Sequence, residues 1–324
     1  MLARGKTRRN PKWPYAAFSA AYSAPNGGDT AIIKAHSRQI HLNFKESPMN
    51  KKAIVISPRA LYVCAPAFDA EADDEGWYGH IVTCTQKLDG GWYKIITPYR
   101  YETYAHKDDL LFDAKEVKRA ESEDTKLMRV WALAGDVHTE GKHNGNVILT
   151  LYRGAIVERI DDENAPNGWT HVRLYGGAEG FMRSTQLGAY YSKPALGEEE
   201  LRNAVCSLAR QYLGTQYRWG GKTPLGIDCS GLVGSCYLMY GVDMYRNADI
   251  VEGFCVHEIE RKDIKKGDML FFKGHVAMYL GEGRYIHSTS KAGSDGVVIN
   301  SLSPCDPDYR EDLANGVIAV GSVF

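Results

Sequence analysis

The sequence predicts an α+β protein in which two small β units precede a domain of helices packed on an antiparallel sheet. Two copies of a unit of about 60 residues, each with a Gly-Trp strand, indicate the β units. An apolar stripe at helical spacing over 201–212, followed by short apolar strands after residue 265, indicates the last domain. The chain has 324 residues, 44% of them apolar, so two or three packed domains are expected.

Composition excludes several classes of function. No run reaches the roughly 18 apolar residues of a membrane span, so none is expected. The net charge is −1 and the body of the chain lacks a basic footprint, so we expect no nucleic-acid partner. The seven cysteines are odd in number and form no CxxC pair, which favours a reduced, cytoplasmic protein over a disulfide framework or zinc ribbon. We expect a monomer without a cofactor.

Residues 1–48 differ from the rest of the chain. They carry eight Lys/Arg against two Asp/Glu and several prolines. We expect a disordered extension, or a segment upstream of a true start at Met49. The alternative is a signal in residues 1–24, because the short apolar stretch 16–24 follows positive charges; the protein would then be secreted or associated with the cell wall.

The first β unit is expected at 49–112, with strands at 53–56, 60–63, 80–85, 91–97 and 101–105. A charged linker, 113–126, separates it from the second unit at 127–192. That unit has strands at 147–151, 154–160, 168–174 and 180–182. Both could be scaffolds without ligand sites.

The last domain, 197–324, contains a cysteine at a predicted helix start. Asp228 occupies the N-cap position and places Cys229 in the first turn of a helix whose apolar face enters the core. The positive end of the helix dipole favours thiolate, the nucleophilic form. The alternative is a buried structural cysteine.

Two histidines follow on neighbouring strands, 275–280 and 284–288. With a three-residue loop at 281–283, or with a bulge, His275 lies diagonally beside His287 on one face of the sheet; with a two-residue loop they separate. Cys229 as nucleophile, His275 as base and His287 as the residue that orients the base would form a catalytic set. Zinc binding by the same three residues lacks an obvious fourth ligand.

Five motifs in order carry a family resemblance: Tyr217-x-Trp-Gly-Gly, Asp228-Cys229-Ser230-Gly231, Gly267-Asp268-x-Leu-Phe-Phe, Gly274-His275-Val-Ala-Met-Tyr and His287-Ser. Residues 200–324 resemble the NlpC-type cysteine peptidases, which are papain-like cell-wall peptidases. The resemblance implies Cys229, His275 and His287 in the roles above. It also implies that Tyr217 and the Cys229 backbone N–H stabilise the oxyanion. The β units resemble bacterial SH3-like barrels.

The whole architecture resembles the γ-D-glutamyl-L-diamino acid endopeptidases of murein recycling. This implies cleavage after D-Glu in free murein peptides, with L-Ala-γ-D-Glu released. A substrate ammonium needs acceptors; the candidates are Asp228 and Ser230, with Glu75 and Tyr101 from the first unit. Asp228 could instead be a plain N-cap, and Glu75 and Tyr101 surface residues. The sequence does not distinguish lysine from diaminopimelate as the diamino acid.

A second reading keeps the peptidase but changes its substrate. A secreted hydrolase would act on intact peptidoglycan and use the β units as wall anchors. A signal peptide and activity on polymeric wall would favour that reading.

Overall fold

A computed structural model describes residues 47–324, which belong to one compact unit, and their side chains from residue 49. The expectations for the N-terminal extension, including its reading as a signal, lie outside these residues. Within 47–324, no helix is both long and apolar enough to cross a bilayer.

The first β unit is a seven-stranded antiparallel sheet. Its strands follow in chain order: β1 Ser47–Val55, β2 Arg59–Val63, β3 Ala72–Trp77, β4 Ile81–Lys87, β5 Trp92–Ile96, β6 Glu102–His106 and β7 Leu110–Leu111. Their order across the sheet is β3-β2-β6-β5-β4-β1-β7.

The second β unit repeats this topology, which confirms the internal repeat. Its strands are β8 Leu127–Val130, β9 Ala134–His138, β10 Val147–Tyr152, β11 Ile156–Arg159, β12 Trp169–Arg173, β13 Glu179–Arg183 and β14 Leu187–Ala189. The order β10-β9-β13-β12-β11-β8-β14 matches that of the first unit strand for strand.

The expectation of two closed barrels is wrong, because both sheets are open. In the first, the two end strands β3 and β7 are not paired with each other. β7 has only two residues and pairs with β1 alone. The outer edge of β3 lies instead against residues Lys222–Thr223 of the last domain. The last domain thus covers the edge of β3 that would have been paired in a closed barrel.

Several elements were not expected from the sequence, among them strand β3 and a helix between the two β units. Strand β3 contains Asp73, Asp74 and Glu75, and acidic residues are depleted in strands. The segment 113–126, expected as a linker, contains helix α1, Ala114–Ala120. Asp113 caps it, its side chain accepting hydrogen bonds from the first-turn N–H groups.

The last domain packs helices on a six-stranded antiparallel sheet, as expected. Its elements are α2 Glu198–Arg210, β15 Lys222–Thr223, β16 Gly226–Ile227, α3 Cys229–Leu238, β17 His257–Glu258, β18 Met269–Phe272, β19 His275–Gly281, β20 Arg284–Thr289, β21 Gly296–Ser301, α4 Glu311–Ala314 and β22 Ala319–Ser322. The sheet order is β17-β22-β18-β19-β20-β21. Apolar side chains of α2 and α3 share a core with alternate residues of β19 and β20.

The β19–β20 hairpin has the register that brings the two histidines together. Met278 pairs with Ile286, and a bulge follows before Gly281 pairs with Arg284. The turn residues have positive φ, 53° at Glu282 and 75° at Gly283, as a tight hairpin requires. The bulge restores the parity that a two-residue turn alone would lose, so the condition set by the sequence is met.

Trp77 and Tyr78, at the end of β3, join the first unit to both other parts. Trp77 belongs to the core of the last domain, and Tyr78 belongs to the core of the second unit. The Trp77 indole N–H donates to the carbonyl of Lys222 at 3.1 Å. A Cβ at Gly154 of the second unit would lie 2.2 Å from the Trp77 ring, so only glycine allows this approach.

Replacing Trp77 should therefore destabilise the whole assembly. We expect Trp77→Ala to lower the free energy of unfolding by roughly 3–5 kcal/mol, the usual cost of removing a buried tryptophan. Phe68→Ala, on an exposed ring of the same unit, is the control and should change little. Urea unfolding followed by fluorescence and circular dichroism measures both; equal effects would contradict this docking role.

Candidate active site

Cys229 is the first residue of α3, as the sequence predicted. The carboxylate of Asp228 caps the helix by accepting a hydrogen bond from the backbone N–H of Gly231 at 2.6 Å. The cysteine is buried, and the nearby backbone N–H groups of Val276 and Ser230 favour its thiolate form. Val276 follows His275 directly, so the thiol lies against the start of β19.

Packing around Cys229 opposes the thiolate that the helix terminus favours. Burial raises the pKa of the Cys229 thiol to about 11, and the neighbouring carboxylate of Asp228 adds to this increase. The two backbone N–H donors act in the opposite direction but do not overcome desolvation. The helix terminus thus supplies donors for a thiolate that forms only when a base removes the proton.

His275 and His287 are hydrogen-bonded, with His275 Nε2 2.7 Å from His287 Nδ1. His287 Nε2 lies 2.9 Å from Asn300 Oδ1, and the Asn300 amide donates through Nδ2 to the carbonyl of Asp308 at 2.8 Å. That last bond sets the orientation of the Asn300 amide, which leaves Oδ1 as an acceptor for His287 Nε2–H.

The chain of bonds assigns both tautomers. His287 donates to Asn300 from Nε2, so its Nδ1 has the free lone pair and accepts from His275 Nε2–H. His275 then keeps an unprotonated Nδ1, which is free to act as a base. The assignment is inferred from the heavy-atom network.

Both imidazoles are neutral in this environment. Burial lowers the pKa of His275 to about 3, with further contributions from His287 and from the positive charge of Arg310. Burial likewise lowers the pKa of His287 to about 4, against the effect of its bond to Asn300. The burial that raises the pKa of the Cys229 thiol also lowers the pKa of His275, so the packing opposes an ion pair between them.

Tyr217 is half-buried near the nucleophile. Burial is the main cause that raises the pKa of its phenol to about 12, with a smaller contribution from the Cys229 and Asp228 side chains. The phenol therefore stays protonated and can donate a hydrogen bond. The Cys229 N–H, in the first turn of α3, has no intrahelical acceptor. Two donors of the kind that stabilise an oxyanion are thus available beside the sulfur.

A buried ion network links Asp228 to the first β unit. Arg246 donates from Nη2 to Asp228 Oδ2 at 2.8 Å and from Nε to Asp74 of β3. Lys222 Nζ lies 3.3 Å from Asp74 Oδ2, and Tyr99 donates to the same carboxylate. Burial alone would raise the pKa of Asp74, but Lys222 and Arg246 hold it below its ordinary value. Burial and the charge of Arg246 lower the pKa of Lys222 to about 8, although Asp74 opposes them.

Ser230 joins the same network. Its hydroxyl donates to Asp228 Oδ1 at 3.1 Å and accepts from Arg246 Nη1 at 2.9 Å. Asp228 is therefore an N-cap and an ion-pair partner at once, and its role toward a substrate stays a prediction.

Glu75 and Tyr101 occupy different positions at this interface. Both oxygens of Glu75 are engaged: Oε1 with Arg59 at 2.7 Å and Oε2 with the backbone N–H of Lys222 at 2.9 Å. Its side chain is almost fully buried, so it ties β3 to the last domain. Its proposed role as an ammonium acceptor stays a prediction, to which these contacts add a structural role.

Tyr101 contacts Asp73, a residue that was not predicted from the sequence. Its hydroxyl donates to Asp73 Oδ1 at 2.7 Å and also contacts the side chain of Asn247. Its ring packs edge-on against Tyr245. Asp73 is only partly buried, which leaves its carboxylate accessible. Among the residues of the first unit near Tyr101, Asp73 is thus the more available acid.

Asn300 and Arg246 were also missed. Asn300 lies on β21 and is the cross-strand partner of Tyr285 on β20. It therefore lies diagonally next to His287. A search for polar residues two strands beyond His275 could have found it. Arg246 lies in a loop, and no local pattern connects it to Asp228.

The arrangement can perform acyl transfer. His275 Nδ1 can accept the thiol proton, the sulfur can attack a carbonyl carbon, and Tyr217 with the Cys229 N–H can stabilise the oxyanion. Within residues 47–324, no group of three or more His, Cys, Asp or Glu side chains is arranged to hold a metal ion.

The chain is similar to several known proteins. The model of the NlpC/P60 family matches residues 214–306. Dipeptidyl-peptidase 6 of Lysinibacillus sphaericus is 40% identical over 277 residues, covering 84% of this chain and 99% of that protein. The gamma-D-glutamyl-L-lysine dipeptidyl-peptidase of Bacillus cereus is 31% identical over 155 residues, 44% of each chain.

A solved structure agrees with the fold. The crystal structure of an NlpC/P60 family protein from Bacillus cereus aligns with a TM-score of 0.66 over 83% of this chain and 98% of that chain, at 18% identity. Together with the matched residues and the near-complete relative, the site places this chain in the NlpC/P60 family of cysteine peptidases.

Proposed function

We propose that the protein hydrolyses the γ-D-Glu–L-diamino acid bond of free murein peptides and releases L-Ala-γ-D-Glu. One observation carries the proposal: strand β3 of the first unit is hydrogen-bonded to β15 and ion-paired through Arg246 to the residue before the nucleophile. A wall so close to Cys229 limits how many residues can precede the cut. The names of the Lysinibacillus and Bacillus relatives support a dipeptide product.

In the proposed mechanism, the Cys229 sulfur attacks the γ-carbonyl carbon of D-Glu while His275 Nδ1 takes the thiol proton. Tyr217 and the Cys229 N–H stabilise the tetrahedral oxyanion. His275 returns the proton to the leaving amine of the diamino acid, and a thioester with the dipeptide remains. Water, deprotonated by the same imidazole, then hydrolyses the thioester and regenerates the thiol. His287 and Asn300 hold the His275 ring in the required tautomer.

The substrate ammonium would bind at the junction with the first unit. Asp73 provides the accessible carboxylate, and Tyr101 and Asn247 provide neighbouring polar groups. Ser230 lies in the same region, lining a small cavity with Asn247. A buried ammonium needs both a carboxylate and further acceptors. We propose Asp73 as the main acceptor, in addition to the earlier candidates Asp228, Ser230, Glu75 and Tyr101.

The alternative is a wall hydrolase that acts on intact peptidoglycan. The Escherichia coli relatives named murein DD-endopeptidases share part of this chain, 29–32% of it. We propose the cytoplasmic, recycling role because β3 occupies the space in front of the nucleophile. The SH3-like character of the two open sheets is also part of this proposal.

The catalytic roles predict graded losses. Cys229→Ala should abolish hydrolysis, and His275→Ala should lower kcat by roughly 10²- to 10⁴-fold, the usual contribution of a general base. Asn300→Ala should lower kcat by a smaller factor with KM unchanged, because it affects only the tautomer of His275. Asn315→Ala, on an exposed residue, is the matched control. A change in KM alone for Asn300→Ala would refute its positioning role.

The specificity pocket predicts a requirement for a free amine. We expect L-Ala-γ-D-Glu-L-Lys, or its diaminopimelate analogue, to be cleaved, and kcat/KM for the N-acetylated peptide to be roughly tenfold to a hundredfold lower, since a charged acceptor loses its partner. Asp73→Asn should raise KM for the free peptide and reduce this discrimination. Product analysis by mass spectrometry measures both.

Asp69→Asn, an exposed acid of the same unit, is the control for Asp73→Asn. Equal cleavage of free and N-acetylated peptides, or release of peptides from intact sacculi, would show an open cleft. The protein would then belong with the wall hydrolases.

A further inference from the structure

A large cavity lies where the two β units, helix α1 and the last domain meet. Its volume is about 830 Å³. Its wall includes His80 of the first unit, Thr125 after α1, Arg129 of the second unit, Tyr190 and Asp243. Residues from all three parts of the chain thus surround one space.

Arg129 is a buried cation in this wall without a carboxylate partner. Arg129 is almost fully buried, with 3% of its surface exposed. One guanidinium N–H donates from Nη1 to the carbonyl of Leu238 at 2.9 Å, while Nε–H has no acceptor among the described residues. Its remaining neighbours are the sulfur of Met239, 4.0 Å from Nη1, and the aromatic faces of Trp77 and Tyr190.

The carboxylates of Glu121, Glu123 and Asp243 also line the cavity, and none of them forms an ion pair with Arg129. Lys52 and Lys126 are paired with Glu121 and with Asp161. Asp243 raises the pKa of Arg129 electrostatically, but burial dominates and lowers it to about 10. A buried guanidinium that keeps a free N–H needs an anionic acceptor to offset its desolvation.

A structural role explains only part of this arrangement. Leu238 ends helix α3, and a cation near the last carbonyls of a helix is favourable. That bond uses a single N–H of the five that arginine carries. Capping alone does not require that Arg129 also line a cavity.

We propose that this cavity binds a small oxyanion, a carboxylate or phosphate group, held by the guanidinium of Arg129 with Tyr190 beside it. Arginine forms two parallel hydrogen bonds to such groups. The volume exceeds that of the anionic group alone, so the ligand can carry an organic part against the tyrosines and the polar wall.

The site is separate from the catalytic cleft. Arg129 contacts the last residue of α3, and Cys229 is the first, so a helix of ten residues, about 15 Å long, lies between them. Anion binding should therefore persist when the nucleophile is removed, and it does not depend on the proposed peptidase substrate.

Equilibrium dialysis with radiolabelled inorganic phosphate, at constant ionic strength in chloride, tests the site. We expect saturable uptake of one phosphate per chain by the wild type and by Cys229→Ala. Acetate should compete if any carboxylate is accepted; failure of acetate, with phosphate bound, would restrict the ligand to phosphates. Absence of saturable uptake of phosphate, together with no binding of acetate by calorimetry, would overturn the proposal.

Variants connect the uptake to Arg129. Arg129→Met should weaken phosphate binding roughly tenfold to a hundredfold, as expected for loss of charged hydrogen bonds. The matched control is Arg153→Met, since Arg153 is equally buried and also in the second unit but does not line the cavity; it should bind like wild type. Equal binding by Arg129→Met and wild type would refute the site.

A second variant covers the case in which Arg129→Met does not fold. Thr125→Glu adds a carboxylate to the half-buried wall without touching Arg129. It should weaken phosphate binding by charge repulsion while circular dichroism stays unchanged. Unchanged phosphate affinity in folded Thr125→Glu would place the bound anion outside this cavity.

Discussion

The buried ion network between Asp74 and Asp228 is the constraint on which the rest of the structure depends. Arg246 bonds to both carboxylates, one on strand β3 and the other at the start of the nucleophile helix. Charges so deeply buried are favourable only when each has partners in good geometry. The position of the first unit and the geometry at the N-cap are therefore coupled through one guanidinium.

This coupling holds the open sheet of the first unit against the start of the nucleophile helix. The outer edge of β3 has no partner strand. Lys222 lies against it, donating its backbone N–H to the Glu75 side chain and accepting at its carbonyl from the Trp77 indole. Trp77 then fills a gap in the core of the last domain. Ion pairs, contacts at the strand edge and aromatic packing therefore fix the position of the first unit relative to the last domain. A wall in a fixed position can limit the length of the substrate. The same junction also encloses the cavity at Arg129.

Local patterns in the sequence were sufficient for the nucleophile helix and the histidine hairpin. The N-cap at Asp228 and the turn at Glu282-Gly283 are set by nearby residues, and the required bulge is present. Strand β3 could not be predicted, because its acidic side chains are favourable only with cations that arrive from distant segments. Closed barrels were expected from the strand patterns, but the patterns carry no information on what covers a sheet edge.

In the catalytic site, too, local sequence patterns predict some features and tertiary packing determines others. The types and order of Cys229, His275 and His287 were readable from motifs, whereas the protonation state was not. Burial raises the pKa of the Cys229 thiol and lowers the pKa of His275, so it opposes the thiolate that the helix terminus favours. Burial is a property of the packed structure, and a helix-terminus argument alone cannot supply it.

A double-mutant cycle of Asp74→Asn and Asp228→Asn tests the central claim most directly. The quantity measured is kcat/KM for the free tripeptide, with folding of each variant checked by circular dichroism. Because both residues share Arg246, we predict a coupling free energy of about 1 kcal/mol or more between them. Effects that add to within about 0.3 kcal/mol would contradict the claim that the docked first unit and the nucleophile helix act as one structure.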